Sequence, residues 1–129
     1  MQKTAIIPSE MQILNDDWHM SPAVEVDGFV FLTGFNGMPL NGNLSEDPKE
    51  QIKTAFEQVF QVLSEAGMDA GNIVEITSYH VGLRDHLQEF KTAWKARMQE
   101  PYPAWTAIEV VGFASKGVVV ELRVVAKRD

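Results

Sequence analysis

The 129-residue sequence contains no cysteine. It therefore offers no disulfide bond, no thiolate nucleophile and no thiolate metal ligand. Its three histidines, His19, His80 and His86, do not have the spacing of metal ligands, so we expect no metal site. Neither G-x-G-x-x-G nor a Walker pattern occurs, and we therefore expect no nucleotide cofactor.

Long apolar runs and an excess of positive charge are also missing. No window approaches the ~18 apolar residues of a membrane-spanning helix, and the first residues, MQKTAIIPSEMQ, do not form a signal peptide. We therefore expect a cytoplasmic protein without a membrane partner. The formal net charge is −7, and the one basic cluster is Lys127–Arg128. Because nucleic-acid binding depends largely on Lys and Arg, we expect no nucleic-acid partner.

The composition that is present suits a single folded domain. The length falls within the range of one hydrophobic core, and 45% of the residues are hydrophobic. No linker, repeat or low-complexity segment divides the chain. We therefore treat residues 1–129 as one domain.

Two segments have the pattern of amphipathic helices. The first is expected to begin with Asp47 as cap, Pro48 as first helical residue and Glu50 as capping-box partner, and to end at Gly67. Apolar residues recur at three- and four-residue steps between these ends, at Ile52, Ala55, Phe56, Val59, Phe60, Leu63 and Ala66. A second helix is expected after Asp85, with its apolar side formed by Leu87, Phe90, Trp94 and Met98.

Five segments rich in β-branched and aromatic residues predict strands. AVEV and FVFLTG flank the turn Asp27-Gly28, NIVEITSYHVG follows the first helix, and TAIEVV and VVVELRVVA close the chain as a pair joined by GFASKG. The order ββ-α-β-α-ββ predicts an α+β fold, with both helices on one face of a single sheet.

The alternation of side chains in the last two strands gives the sheet a second, mixed face. Val118, Val120, Leu122, Val124 and Ala126 are expected to cover the helix side, together with Thr106, Ile108 and Val110. The opposite side would then hold Trp105, Glu109, Glu121 and Arg123. If the two strands form a hairpin, Trp105 lies near Glu121 or Arg123. Such a face is either solvated or an oligomer surface, and the indole favours the second.

Two residues of this face have alternative interpretations. Trp105 is either packed in a core or interface, or walls a pocket and offers one N–H donor. Glu121 either pairs with Arg123 or a lysine, or is a carboxylate that positions or deprotonates water. His80 and His86 are interpreted as separate structural or surface histidines. No Ser/His/Asp arrangement can be recognised from the spacing.

Four segments resemble the Rid superfamily, the YjgF-like reactive intermediate deaminases, whose relatives are often described as endoribonuclease L-PSP. They are AVEVDGFVFLTG, QIKTAFEQVFQVLSEAGMDAGNIVEITSYHV, PAWTAIEV and KGVVVEL. The resemblance implies two helices on one side of a mixed sheet, as in chorismate-mutase-like folds. It also implies a homotrimer in which the other sheet faces form an internal barrel, with small-molecule sites in clefts between subunits. The best-studied branch hydrolyses enamines and imines to keto acids and ammonia.

The sequence departs from that branch at the residues that bind substrate. The arginine of P-A-R-S, which grips the substrate carboxylate, is Trp105 here; a tyrosine corresponds to Met20; and S-G-Q becomes Thr33-Gly34-Phe35. The glutamate that positions water in the deaminases corresponds to Glu121. This pattern looks more like the YjgH-like branch, which lacks the arginine.

These departures shape the expected function. An arginine fork binds a carboxylate through two hydrogen bonds, and an indole cannot replace it. We therefore expect an imine or enamine deaminase acting on a substrate without a carboxylate. Glu121 would be the catalytic residue, and the substrate-binding residues would be Met20, Thr33, Gly34, Phe35, Trp105, Thr106 and Arg123. The last of these could supply the missing positive charge. The alternative is a non-catalytic metabolite-binding trimer, and an endoribonuclease or translation inhibitor is the least favoured.

Overall fold

The computed structural model describes residues 2–129. Within them lie three α-helices, α1 (Gln12–Asp16), α2 (Pro48–Glu65) and α3 (Leu83–Arg97). The strands are β1 (Thr4–Ile6), β2 (Ala23–Val26), β3 (Phe29–Leu32), β4 (Phe35–Asn36), β5 (Ile73–His80), β6 (Ala104–Glu109) and β7 (Val120–Lys127). None of the helices in this part of the chain is both long and apolar enough to cross a membrane.

The strands form one mixed sheet in the order β1-β2-β3-β7-β5-β6, and short β4 also pairs with β7. Neighbouring strands are antiparallel except β5 and β6, which are parallel. The predicted α+β fold with a single sheet is therefore confirmed. No pattern in the sequence predicted β1, α1 or β4, because two to five residues are too few to show a period.

Helix α2 begins where the sequence predicted, although its cap differs in one detail. The Asp47 carboxylate accepts a hydrogen bond from the Lys49 N–H at 3.0 Å. The Asp47 N–H, however, donates to Ser45 Oγ at 3.0 Å, so Glu50 is not its partner. The helix ends just before Gly67, which has φ +73°. Glycine adopts this left-handed conformation without strain, as a helix end of this kind requires.

Helices α2 and α3 bury the apolar side of the sheet. The last strand alternates as predicted, since Val120, Leu122, Val124 and Ala126 are all buried in the core together with side chains of α2. Glu121 is half-buried and Arg123 is exposed, both on the opposite face. Neither α2 nor α3 therefore covers this far face.

The predicted hairpin between the last two strands is wrong. Strand β6 pairs in parallel with β5, with Ile76 opposite Trp105 and Thr77 opposite Thr106, and β5 separates it from β7. Because paired residues share a face and Ile76 is in the core, Trp105 faces the helices. Thr106 and Ile108, which were expected to face the helices, lie on the far side. The prediction failed because alternation along a strand does not reveal which strand lies beside it.

One buried glutamine ties two loops to α2. The Gln51 amide donates to Ser45 O and Gly117 O, each at 2.9 Å, and its carbonyl accepts from Val119 N at 2.8 Å. A Cβ built on Gly37 would lie 2.5 Å from Gln51 Cβ and 2.4 Å from its Oε1. The loop after β4 therefore approaches α2 more closely than any residue except glycine allows.

We therefore expect Gly37→Ala to lower the free energy of unfolding by roughly 1–3 kcal/mol, the usual penalty for overpacking a core. The clash involves Gln51 Cβ, which rotation of the side chain cannot move. Urea unfolding monitored by circular dichroism measures the change. Gly112→Ala is the control, because no atom lies within 4 Å of the Cβ position there. Equal stability of the two variants would contradict the predicted clash.

Candidate functional site

A hollow of about 480 Å³ lies where β3 and β4 meet β7. Its lining brings Glu121 together with four of the predicted substrate-binding residues, Met20, Thr33, Gly34 and Phe35. The remaining lining comes from α1 and the turn after it, from β4 and the loop that follows, from residues 114–115 and from Gln58 of α2. Apart from α2 these segments are short or irregular, so periodicity could not have placed them at a site.

Close packing of Glu121 on Gly34 forms the floor of the hollow. Strand β4 pairs with β7 so that Asn36 lies opposite Glu121 and Phe35 opposite buried Leu122. A Cβ built on Gly34 would lie 2.7 Å from Glu121 Oε2 and 3.0 Å from its Cδ. The Glu121 carboxylate can occupy this position because residue 34 is a glycine and has no Cβ.

Gly34→Ala is expected to displace the Glu121 carboxylate and to leave the fold intact. The atoms in the way belong to the end of a flexible side chain, which can rotate aside. Because a misplacement of about 1 Å can cost up to ~100-fold in rate, we expect any Glu121-dependent activity to fall at least ~10-fold. Steady-state kinetics and thermal unfolding of the variant, beside Gly112→Ala, check both parts. Unchanged activity would show that the carboxylate position does not matter.

Apolar side chains form the rim of the hollow. Ile13, Trp18, Met20 and Leu40 line it, and they expose 51%, 70%, 38% and 38% of their surface, respectively. Glu121 is the one ionisable side chain among the lining residues, and these include no Lys, Arg or His within residues 2–129. The site thus combines apolar walls with a single carboxylate.

Glu121 does not form the ion pair that one interpretation of the sequence required. The salt bridge found among the described residues joins Arg128 to Glu25, at 2.8 Å. Arg123 lies two residues along β7 from Glu121 and shares its face, but it does not line the hollow. Glu121 therefore has no salt-bridge partner among residues 2–129.

The other predicted site residues lie outside the hollow. Thr106 and Arg123 both lie beside Thr77 on the far face, whereas Trp105 is on the helix side. The expectation that Arg123 shares the face of Trp105 is therefore wrong. Within one chain, the sheet separates Trp105 from Glu121.

Trp105 is packed against α3. Its ring lies 4.8 Å from Trp94 and 5.4 Å from Phe90 between centroids, with interplanar angles of 25° and 29°. The indole N–H donates to Ser78 Oγ at 2.8 Å. The interpretation of Trp105 as a packed residue therefore applies within the chain, where the side chain is partly buried.

The sequence matches the family model described as endoribonuclease L-PSP over residues 15–128. The chain belongs to this family. The resemblance to the Rid superfamily is thereby confirmed. The chain is 27% identical over 128 residues to the RutC family protein YjgH of Escherichia coli (strain K12), covering 98% of this chain and 96% of that protein. It is 31% identical over 108 residues to the Bos taurus 2-iminobutanoate/2-iminopropanoate deaminase, covering 82% and 77%.

Solved structures show the same fold. The structure of protein YjgH superposes with a TM-score of 0.87 and 26% identity, covering 99% of this chain and 98% of that one. A probable translation initiation inhibitor from Rhodopseudomonas palustris superposes with a TM-score of 0.86 at 18% identity, covering 98% of each chain. The second likeness, at this low identity, concerns the fold alone.

Behind Trp105, this Rid-family chain contains a buried polar chain that sequence reasoning missed. Ser78 Oγ lies 2.7 Å from His80 Nε2, and His80 Nδ1 lies 3.0 Å from His86 Nε2. All three side chains are buried. The signal that could have found the first link is the alternation of β5, which places Ser78 and His80 on one face. No comparable pattern in the sequence predicts that the turn at Gly82 brings His86 back over the strand.

Burial keeps both histidines neutral near pH 7. It lowers the pKa of His80 to about 4, and repulsion from His86 lowers it further in the same direction. Burial also lowers the pKa of His86, against the opposing charges of Glu89 and Asp85. Neutral imidazoles can act as both donor and acceptor, which the chain from Trp105 to His86 requires.

No group of three or more metal-ligating side chains comes together among residues 2–129. The hollow itself contributes one carboxylate, one hydroxyl pair (Thr33 and Ser115) and two amides (Asn36 and Gln58). This set can accept hydrogen bonds and orient a water molecule.

Proposed function

We propose that this Rid-family protein hydrolyses an imine or enamine that lacks a carboxylate, with Glu121 positioning the attacking water. The observation that carries the proposal is a carboxylate at the floor of an apolar hollow that forms no salt bridge with any residue from 2 to 129. Relatives named as 2-iminobutanoate/2-iminopropanoate deaminases support a Rid-type reaction in general. The choice of substrate follows from the residues of this chain.

The proposed reaction consumes one water and releases ammonia. Glu121 accepts a proton from water as the oxygen adds to the carbon of the protonated imine, C=NH2+, which gives a neutral carbinolamine. Glu121 then returns that proton to the nitrogen. The C–N bond breaks, a C=O bond forms, and the hydroxyl proton passes to the departing ammonia, so the products are a carbonyl compound and ammonium. An enamine first becomes an imine by moving one proton from nitrogen to carbon. No oxidant or reductant takes part.

The hollow disfavours a substrate carboxylate for electrostatic reasons. A carboxylate bound beside Glu121 would face like charge without a compensating Lys, Arg or His among the lining residues. Two charges about 4 Å apart interact by roughly 1–4 kcal/mol in surroundings between water and a protein surface. That repulsion adds to the loss of the arginine fork, for which Trp105 offers no substitute.

The proposal includes a homotrimer in which clefts between subunits complete the hollow. Thr106, Arg123 and the open edge of Trp105 do not line the hollow of their own chain. The proposed substrate-binding role of Thr106 and Trp105 therefore requires that they reach the hollow of a neighbouring subunit. The same role for Arg123 would bring a positive charge beside Glu121 and is not part of the proposal. Light scattering after size exclusion tests the trimer, and the expected mass is three times 14.4 kDa. A monomer would remove Thr106 and Trp105 from the proposed site.

Glu121→Gln tests the catalytic role, because the amide retains the size of the side chain and loses its basicity. Since a general base typically contributes about 10²–10⁴-fold, we expect hydrolysis of a carboxylate-free imine to fall at least 100-fold. Ammonia release above the spontaneous rate measures it. Glu65→Gln, an exposed position at the end of α2, is the matched control for charge. Activity that survives in Glu121→Gln would exclude the role.

A non-catalytic metabolite-binding protein is the second candidate. The observation that favours it is that, within the described part of the chain, Glu121 is the single ionisable side chain lining the hollow, so no second acid is present there for the leaving amine. This candidate predicts saturable binding without ammonia release. In both cases we propose a small-molecule ligand in the cytoplasm and no nucleic-acid or membrane partner. With a net charge of −7, an endoribonuclease or translation inhibitor is least favoured.

A further inference from the structure

We propose that the hollow selects a cationic ligand, a primary iminium or ammonium group attached to an apolar or aromatic body. This inference rests on the proposed function for the location of the site and adds the charge and shape of its ligand. It concerns binding, so it applies whether or not the ligand is hydrolysed. Three features of the hollow lead to it: its charge, an unpaired acceptor and its rim.

The charge of the hollow is that of Glu121 alone. No basic side chain lines it, and no salt bridge among the described residues involves this carboxylate. Half-burial in apolar surroundings weakens screening by water, so a positive group in the hollow gains more than it would at an open surface. The net charge of −7 for the whole chain adds a long-range attraction for cations.

A second acceptor in the wall lacks a donor. Gln58 lines the hollow and is 8% exposed, and its Nε2 donates to Asn36 O at 3.0 Å and Met38 O at 3.3 Å. These two bonds determine the orientation of the amide. Its Oε1 is buried without a hydrogen-bond partner among residues 2–129. Because a buried unpaired acceptor is destabilising, a ligand N–H that reaches it after a small shift of the wall is favoured.

The rim provides the surface for an apolar body. Trp18, Ile13 and Leu40 together expose a large hydrophobic area beside the carboxylate. An exposed indole also attracts cations through its ring face. An alkyl or arylalkyl group attached to the cation would therefore cover the rim while its nitrogen lies near Glu121.

Calorimetric titration with four unreactive compounds of one shape tests the inference. They are 2-phenylethylammonium, its N,N,N-trimethyl derivative, 2-phenylethanol and 3-phenylpropanoate. We expect 2-phenylethylammonium to bind at least ~10-fold more tightly than the alcohol, as one charge pair near a surface permits. The propanoate should bind most weakly. The trimethyl cation, which has no N–H donor, should bind more weakly than the primary ammonium.

Variants separate the site from general charge effects. In Glu121→Gln the preference for the ammonium over the alcohol should disappear, whereas Glu65→Gln, with the same change of net charge, should retain it. Equal binding of ammonium and alcohol by the unmodified protein, or a preference that survives in Glu121→Gln, would overturn the inference. Tight ammonium binding without imine hydrolysis would refute the proposed function alone. Hydrolysis without any cation preference would refute the inference alone.

Discussion

Trp105→Arg is expected to destabilise the protein by about 3 kcal/mol, in the range measured for loss of a large aromatic side chain from a core. The indole contacts Trp94 and Phe90 and donates to Ser78. An arginine there loses the stacking and brings a charge toward the buried side of α3. Urea unfolding followed by circular dichroism at 222 nm would show a lower midpoint with a similar slope.

Two further tryptophan variants make this prediction specific. Trp18→Arg introduces the same charge at a residue that is 70% exposed, and its stability should change by no more than about 0.5 kcal/mol. Trp105→Phe retains an aromatic ring but loses the N–H and part of the packed ring area, so it should cost roughly 1–2 kcal/mol, less than Trp105→Arg. If Trp105→Arg proved as stable as Trp18→Arg, the indole would not be packed as described.

Acidification from pH 7.5 to pH 4.5 is expected to remove about 2–3 kcal/mol of stability through His80 alone. Its pKa is lowered from 6.5 to about 4 in the folded protein, so between these values the unfolded chain binds more protons than the folded one. Stability from this group is therefore complete above pH 6.5 and is lost as the pH falls toward 4. Protonation would also break the neutral pairing of His80 with His86.

Comparison with His80→Gln isolates this effect from that of other groups. The hydrogen bond with Arg128 lowers the pKa of Glu25. The stability that this carboxylate contributes to the protein is therefore lost only at a lower pH, and equally in both proteins. The free energy of unfolding should therefore depend less on pH between 6.5 and 4.5 in His80→Gln than in the unmodified protein. His19→Gln, at an exposed position, should retain the original dependence. Identical pH profiles for His80→Gln and the unmodified protein would contradict the assignment.

Local signals in the sequence predicted the long helices and strands, but not which strands lie beside each other in the sheet. Asp47, Pro48 and Gly67 defined α2 because caps and breakers act within a few residues. The alternation of β7 correctly predicted its buried side. The partner of β6 depended on a connection that passes β5, and no local pattern encodes that choice. One wrong pairing was enough to place Trp105 on the wrong face.

The candidate site could be predicted only in part for the same reason. The resemblance to the family led to Met20, Thr33, Gly34, Phe35 and Glu121, which do line one hollow. The rim depends on α1 and on the loop after β4, whose conformations are set by tertiary contacts such as those of Gln58 with the loop backbone. That Glu121 forms no salt bridge among residues 2–129 became clear only from the structure.

The central claim is that a carboxylate-free imine is the preferred substrate at Glu121. The most direct test compares two imines that differ by one carboxylate, generated in the assay from 2-phenylethylamine by an amine oxidase and from phenylalanine by an amino-acid oxidase. The measured quantity is kcat/KM for hydrolysis above the spontaneous rate. The account predicts at least ~10-fold preference for the carboxylate-free imine, as one repulsive charge pair implies, and loss of that activity in Glu121→Gln. Equal or faster hydrolysis of the 2-imino acid would contradict it.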